Sequence, residues 1–200
     1  MNFLYKIAYF FKKPILITII AEPDSGIIDL IFNLLKDSDF RFEKRDSFSF
    51  TKDKIFLIKS RDDDYLSNLP FLINNSSLSV LILKGENIDL ELVSKFVESF
   101  VITDEGATKF LRRNDFSNSL LSTGFDDRFD LWVSDLNVDK ETNFKINHGG
   151  DTIPFWIKKE LDRDEIIDLM LVIRTGVTIG LNLVWISQRL NSIYKKKNLC

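Results

Sequence analysis

The chain has 200 residues, 44% of them apolar and 28% charged, with a net charge of −3, which suits one globular domain with a real core and excludes a disordered or low-complexity protein. Acids and bases nearly balance, so the overall charge does not favour nucleic acid, and no nucleic acid partner is expected. A single cysteine, Cys200, and a single histidine, His148, leave no material for a disulfide, a thiolate metal cluster or a zinc site, and almost none for a serine–histidine triad.

The apolar spacing over residues 3–11 predicts a helix that Pro14 stops. Lys6, Lys12 and Lys13 interrupt this apolar start, so no run approaches the ~20 residues of a membrane-spanning helix. The charges also fall inside the apolar segment rather than ahead of it, unlike a secretory signal. We expect an amphipathic helix leading into the domain, no integral membrane segment and a cytoplasmic location, with membrane-surface contact as the lesser alternative.

Residues 15–21, ILITIIA, are continuously apolar and rich in β-branched side chains, which suits a central strand covered on both faces. The turn Glu22-Pro23-Asp24-Ser25-Gly26 follows. Helical apolar spacing runs from Ile27 to Leu35, with Asp24 or Ser25 as the expected N-cap. Phe40, Phe42, Phe48 and Phe50 alternate with polar residues, which predicts a marginal strand or an edge hairpin. Residues 54–59 predict a clearer strand, and Asp62, Asp63 and Asp64 would open the next helix at its positive end.

Residues 78–83 predict a third buried strand, followed by a helix over 89–99. A strand over 100–103 and a helix over 104–113 continue the alternation. Strands and helices at this spacing predict a mostly parallel sheet with helices on both faces. Short strands are then expected over 119–123, 129–136, 142–148 and 152–158. The last two flank the hairpin turn Asn147-His148-Gly149-Gly150-Asp151, so a small antiparallel sheet is expected there. Helices over 163–180 and 182–194, separated at Gly180-Leu181-Asn182, close the chain. One α/β domain results, divided into a parallel core (1–116), a small antiparallel sheet (117–160) and C-terminal helices (161–200).

Several clusters invite a chemical reading. Asp62, Asp63 and Asp64 are consecutive and diverge, whereas magnesium needs carboxylates converging from different elements, so they read as a helix start. Asp126, Asp127, Asp130 and Asp135 surround the strand FDLWVSDL; alternation puts Asp130, Trp132 and Ser134 on one face and Leu131, Val133 and Asp135 on the other. His148 reads as a turn residue, because a lone general base would need an orienting partner that the sequence does not show. Lys195, Lys196 and Lys197 read as a solvated helix end.

Taken together these segments resemble the central domain of the Mur ligases, the ATP-dependent amide ligases that extend the peptidoglycan precursor. The stretch LLSTGFDDRFDLWVSDLNVDKETNFKINHGGDTIPFWI is similar to the family's "TFG", "A-S-D-I", "G-T-x-F" and "V-P" succession, and IIDLMLVIRTGVTIGLNLVWISQRL is similar to its closing helix pair. In the first half, residues 14–36 stand where the family's ATP loop would be. The resemblance runs over residues 3–194. It implies a P-loop-NTPase-like α/β fold without counterparts of the family's substrate-recognition and C-terminal domains in these 200 residues.

The resemblance also implies where the chemistry would sit. The family's loop holds phosphates on backbone amides and ends in Lys-Ser/Thr; aligned without gaps, that lysine falls on Asp24 and the next residue on Ser25. The glutamate of the family's "E-M-G" motif, which helps hold magnesium, is replaced by Lys59. The histidine near the end of the third strand has no counterpart in VLILKGEN.

We therefore expect a degenerate domain with no catalytic residues, no metal and no bound cofactor, in which Glu22, Pro23, Asp24, Ser25 and Gly26 form a loop that has lost its phosphates. Its role would be binding or scaffolding, with an unknown protein partner, linked to cell-wall precursor synthesis. The alternatives are an active ligase component that works with partner chains and uses ATP and magnesium, and an unrelated α/β binding domain.

Overall fold

The structure, a computed structural model, describes residues 3–21, 25–36, 42–43, 55–59, 68–96, 98–116 and 120–197. These residues build a nine-stranded sheet in the order β2-β3-β1-β4-β5-β6-β7-β8-β9. The strands are β1 (Ile15–Ile20), β2 (Phe42–Glu43), β3 (Ile55–Lys59), β4 (Leu78–Leu83), β5 (Phe100–Thr103), β6 (Leu120–Gly124), β7 (Leu131–Val138), β8 (Thr142–His148) and β9 (Asp151–Ile157). From β2 through β7 every neighbouring pair is parallel. The β7-β8-β9 meander is antiparallel.

β1 lies inside the sheet, hydrogen-bonded to β3 on one side and β4 on the other. Alternation sends Ile15, Ile17 and Ile19 into one core and Leu16 into another, which is why ILITII reads as an unbroken apolar run. The first core lies under α2 (Ile27–Leu35), α6 (Arg163–Thr178) and α7 (Leu183–Lys197). The second lies under α1 (Phe3–Lys12), α3 (Leu69–Asn74), α4 (Leu90–Ser94) and α5 (Glu105–Arg113). The sheet is thus sandwiched between two helical layers, as parallel sheets require.

β2 is a two-residue strand that pairs parallel with β3, which agrees with the marginal strand expected around Phe42. Several expectations need correction. Phe40, Phe48, Phe50, Asp62, Asp63, Asp64 and Cys200 lie outside the described residues. The antiparallel meander is present as expected, but β6, expected among its short strands, belongs to the parallel part of the sheet. β6 joins β5 on one side and β7 on the other, both in parallel, so the meander extends the main sheet. α4 ends at Ser94 rather than Ser99, and the amides of Lys95 and Phe96 turn onto Leu92 and Val93.

In β7, Leu131 and Val133 are buried as alternation requires. Asp135 has a positive φ of 52° where the register with β8 shifts. This bulge turns Asp135 out to solvent, against Lys145 at 2.7 Å, so it does not share the buried face with Leu131 and Val133. The β8–β9 turn behaves as the sequence requires: Gly149 and Gly150 take φ values of 60° and 91°, the two positive values of a two-residue hairpin turn. Gly180, at φ 95°, ends α6, and the Asn182 side chain accepts from the amides of Val184 and Trp185 to start α7.

Gly124 closes β6 under the ring of Phe129. A Cβ at this position would come within 2.3 Å of that ring, so Gly124→Ala must push apart the β6–β7 connection. The expected cost is about 1–3 kcal/mol, read as a lower urea midpoint with an unchanged slope; an unchanged midpoint would show that the ring does not pack on this glycine.

Candidate functional site

The loops that follow parallel strands emerge at one edge of the sheet, where open α/β folds place their ligands. At that edge β1 leads to Ser25 and Gly26 at the start of α2, β4 leads to Lys84 and Gly85, and β5 leads to Asp104 at the start of α5. An N-terminal helix end presents backbone N–H groups and a partial positive charge, so it attracts an anion. In this protein both helix ends receive an anion from the chain itself.

At α2 that anion is Asp168. It lies within the apolar run IIDLMLVI of α6 and is only 6% exposed. One Oδ2 accepts the Gly26 amide at 3.1 Å. The Ser25 hydroxyl lies 3.4 Å from both carboxylate oxygens, and its own oxygen accepts the Ile27 amide at 3.3 Å. Lys84 Nζ reaches Asp168 Oδ1 at 2.8 Å, with the two side chains 15% and 9% exposed. The expected cap is therefore displaced: Gly26, not Asp24 or Ser25, holds the N-cap position, without a side-chain cap of its own. A carboxylate from 142 residues away takes over that work.

At α5 the anion is Asp104. It accepts the Ala107 amide at 2.8 Å as the N-cap and also the Gly85 amide at 3.2 Å. Burial raises its carboxyl above the usual carboxylate range, opposed by the hydrogen bonds from Ala107 and Gly85 and by the charge of Lys84. Lys84 thus faces two acids, one behind each helix start. Its charge is committed within the protein.

A third group lies beside this edge, where β6, β7 and β8 meet α6. Asp130 Oδ2 accepts from the amide and the hydroxyl of Ser122, both at 2.8 Å. His148 Nδ1 lies 2.9 Å from the Asp130 carbonyl. Arg174 Nη1 lies 2.9 Å from both imidazole nitrogens. Arg174 is 7% exposed, and burial lowers its pKa while Asp130 opposes the shift. The lone histidine, expected as a turn residue, therefore ties the meander to α6.

The remaining candidates disperse. Glu22, Pro23 and Asp24 lie outside the described residues. Lys59 ends β3 in register with Ile19. Asp126 pairs with Arg128 at 2.6 Å, which lowers its pKa to about 2. Asp127 is exposed. Lys195 lies exposed on the last turns of α7, as expected of a solvated helix end. Among the described residues no three His, Cys, Asp or Glu side chains converge as metal ligands do, and no described helix is long and apolar enough to cross a membrane.

No protein-family model and no curated protein sequence matches the chain. Solved structures do match. MurF from Acinetobacter baumannii superposes with a TM-score of 0.64 at 7% identity, over 93% of this chain and 48% of that one. The fold is Mur-ligase-like. MurF ligase from Thermotoga maritima, solved in complex with ADP, gives 0.60 at 12% identity over 92% and 51% of the two chains. A pseudomurein peptide ligase type C from Methanothermus fervidus gives 0.59 at 10% identity over 90% and 49%. The chain spans about half the length of these Mur ligase structures.

Within this Mur-ligase-like frame, a nucleotide's phosphates at the start of α2 would have to displace the Asp168 carboxylate from the Gly26 amide or sit against it. Asp168 and Lys84 were not singled out from the sequence, although one signal was available: an acid inside the eight-residue apolar run IIDLMLVI must be buried, and a buried acid needs a cation.

Asp168→Ala would leave the Gly26 amide without an acceptor and Lys84 without its nearer acid. A loss of about 3 kcal/mol in unfolding free energy is expected. The double variant Lys84→Met/Asp168→Leu should recover at least half of it, since it removes the uncompensated charge. A single variant within about 0.5 kcal/mol of the parent would contradict the arrangement.

Proposed function

We propose that this chain is a Mur-ligase-like domain without ATP-dependent ligase activity, acting as a binding or scaffolding component linked to cell-wall precursor synthesis. The observation that carries this proposal is the Asp168 carboxylate on the Gly26 amide at 3.1 Å, held there by Lys84 at 2.8 Å. An anion already fills the seat that the start of α2 offers, and the cation beside it is paired.

The sequence supports the same conclusion at two further positions. Asp24 stands where the resemblance puts the phosphate-binding lysine, and Lys59 where it puts the magnesium-binding glutamate. Each substitution reverses the charge that a magnesium nucleotide would need. The Thermotoga maritima enzyme, which shares the fold, was solved with ADP; the present chain keeps the frame of such a protein and closes its anion seat from within.

The link to cell-wall precursors rests on the solved structures that share the fold, among them a murein peptide ligase from Psychrobacter arcticus and the pseudomurein peptide ligase of Methanothermus fervidus. A domain that keeps this frame without the nucleotide would serve by presenting surface to a partner protein.

Isothermal titration with ATP and magnesium tests the proposal. No heat of binding is expected up to millimolar nucleotide. Saturable binding in the micromolar range would overturn it and favour an active ligase component.

A further inference from the structure

α1 presents an apolar stripe to solvent. Ile7, Phe10 and Phe11 are 40%, 50% and 79% exposed, and their spacing of three and four residues places them side by side on one helix face. The Phe10 and Phe11 rings meet edge to face at 5.5 Å. The stripe is held firmly, because the opposite side of α1 is docked on the domain. Tyr9 is 4% exposed, its hydroxyl lies 2.8 Å from Ser76 Oγ, and its ring packs 6.2 Å from Phe71.

Among the described residues of α1 and of α3, which packs against it, every charged side chain is a lysine. Residues 1–21 contain Lys6, Lys12 and Lys13 and no acid, although the chain as a whole carries −3. Lys6 Nζ lies 5.5 Å from the Phe71 ring centroid, and Lys13 is exposed just past the helix. α3 and the turn after it, residues 69–77, bring no acid to this side either.

We propose that α1 docks the protein on an anionic membrane surface. Aromatic and aliphatic side chains flanked by lysines on a short surface helix match a bilayer interface, where rings enter the headgroup boundary and ammonium groups stay with the phosphates. A second copy of the chain fits less well, since a two-fold contact would set the lysines of one stripe against those of the other. α1 belongs to the helical layer opposite α6 and α7, so docking leaves Asp168 and its partners untouched. This inference is independent of the ligase question.

Flotation of the full chain with phosphatidylcholine vesicles, with and without a quarter of phosphatidylglycerol, tests it. The protein should float with the anionic vesicles only, and less in high salt. Phe10→Ser/Phe11→Ser should lower the partition coefficient at least about tenfold, since two rings leave the interface. Lys6→Gln/Lys13→Gln should also lower it about tenfold. Both variants should keep the parent unfolding midpoint, because the changed side chains are not core residues. Equal flotation with neutral vesicles, no flotation with either, or a dimer in sedimentation that the phenylalanine variant dissolves would overturn the proposal.

Discussion

The sheet edge is organised by one buried carboxylate. Asp168 sits in α6, 6% exposed, and holds the first amide of α2 and the ammonium of Lys84 at the end of β4. Three elements distant in sequence are joined at this point. A buried acid is expensive unless fully engaged, and here both oxygens are engaged. The N-cap residue of α2, Gly26, has no side-chain cap of its own, and its amide takes its acceptor from α6.

The same device is repeated one strand away. Asp104 caps α5 and also holds Gly85, the residue after Lys84. Two helix ends that could each have received an external anion are closed by carboxylates, with one lysine between them. Among the described residues, Lys84 offsets part of the charge of these two acids. Both helix starts at this edge thus find their anion within the chain.

Much of the frame was legible because burial on both faces leaves a strong mark. β1, β4, β5 and the helices α2, α5 and α6 follow from apolar runs and helical spacing. Pairing direction was not legible: LLSTG and the segment at Phe42 carry periodicity, and periodicity is the same for parallel and antiparallel neighbours. The bulge at Asp135 was also hidden, since it depends on register with β8. The site itself was half visible. The loop's acidic turn could be read directly, but its occupant comes from 142 residues away, and only the oddity of an acid in IIDLMLVI hinted at it.

Hydrogen exchange at the Gly26 amide tests the closure most directly, because that proton's acceptor in the structure is the Asp168 carboxylate. In the parent chain it should exchange at least about tenfold more slowly than an open amide. In Asp168→Ala the protection should vanish while the Leu30 amide, bonded to the Gly26 carbonyl at 3.0 Å, stays protected and shows that α2 is intact. Equal exchange at Gly26 in both proteins would contradict the claim that this carboxylate fills the seat at the start of α2.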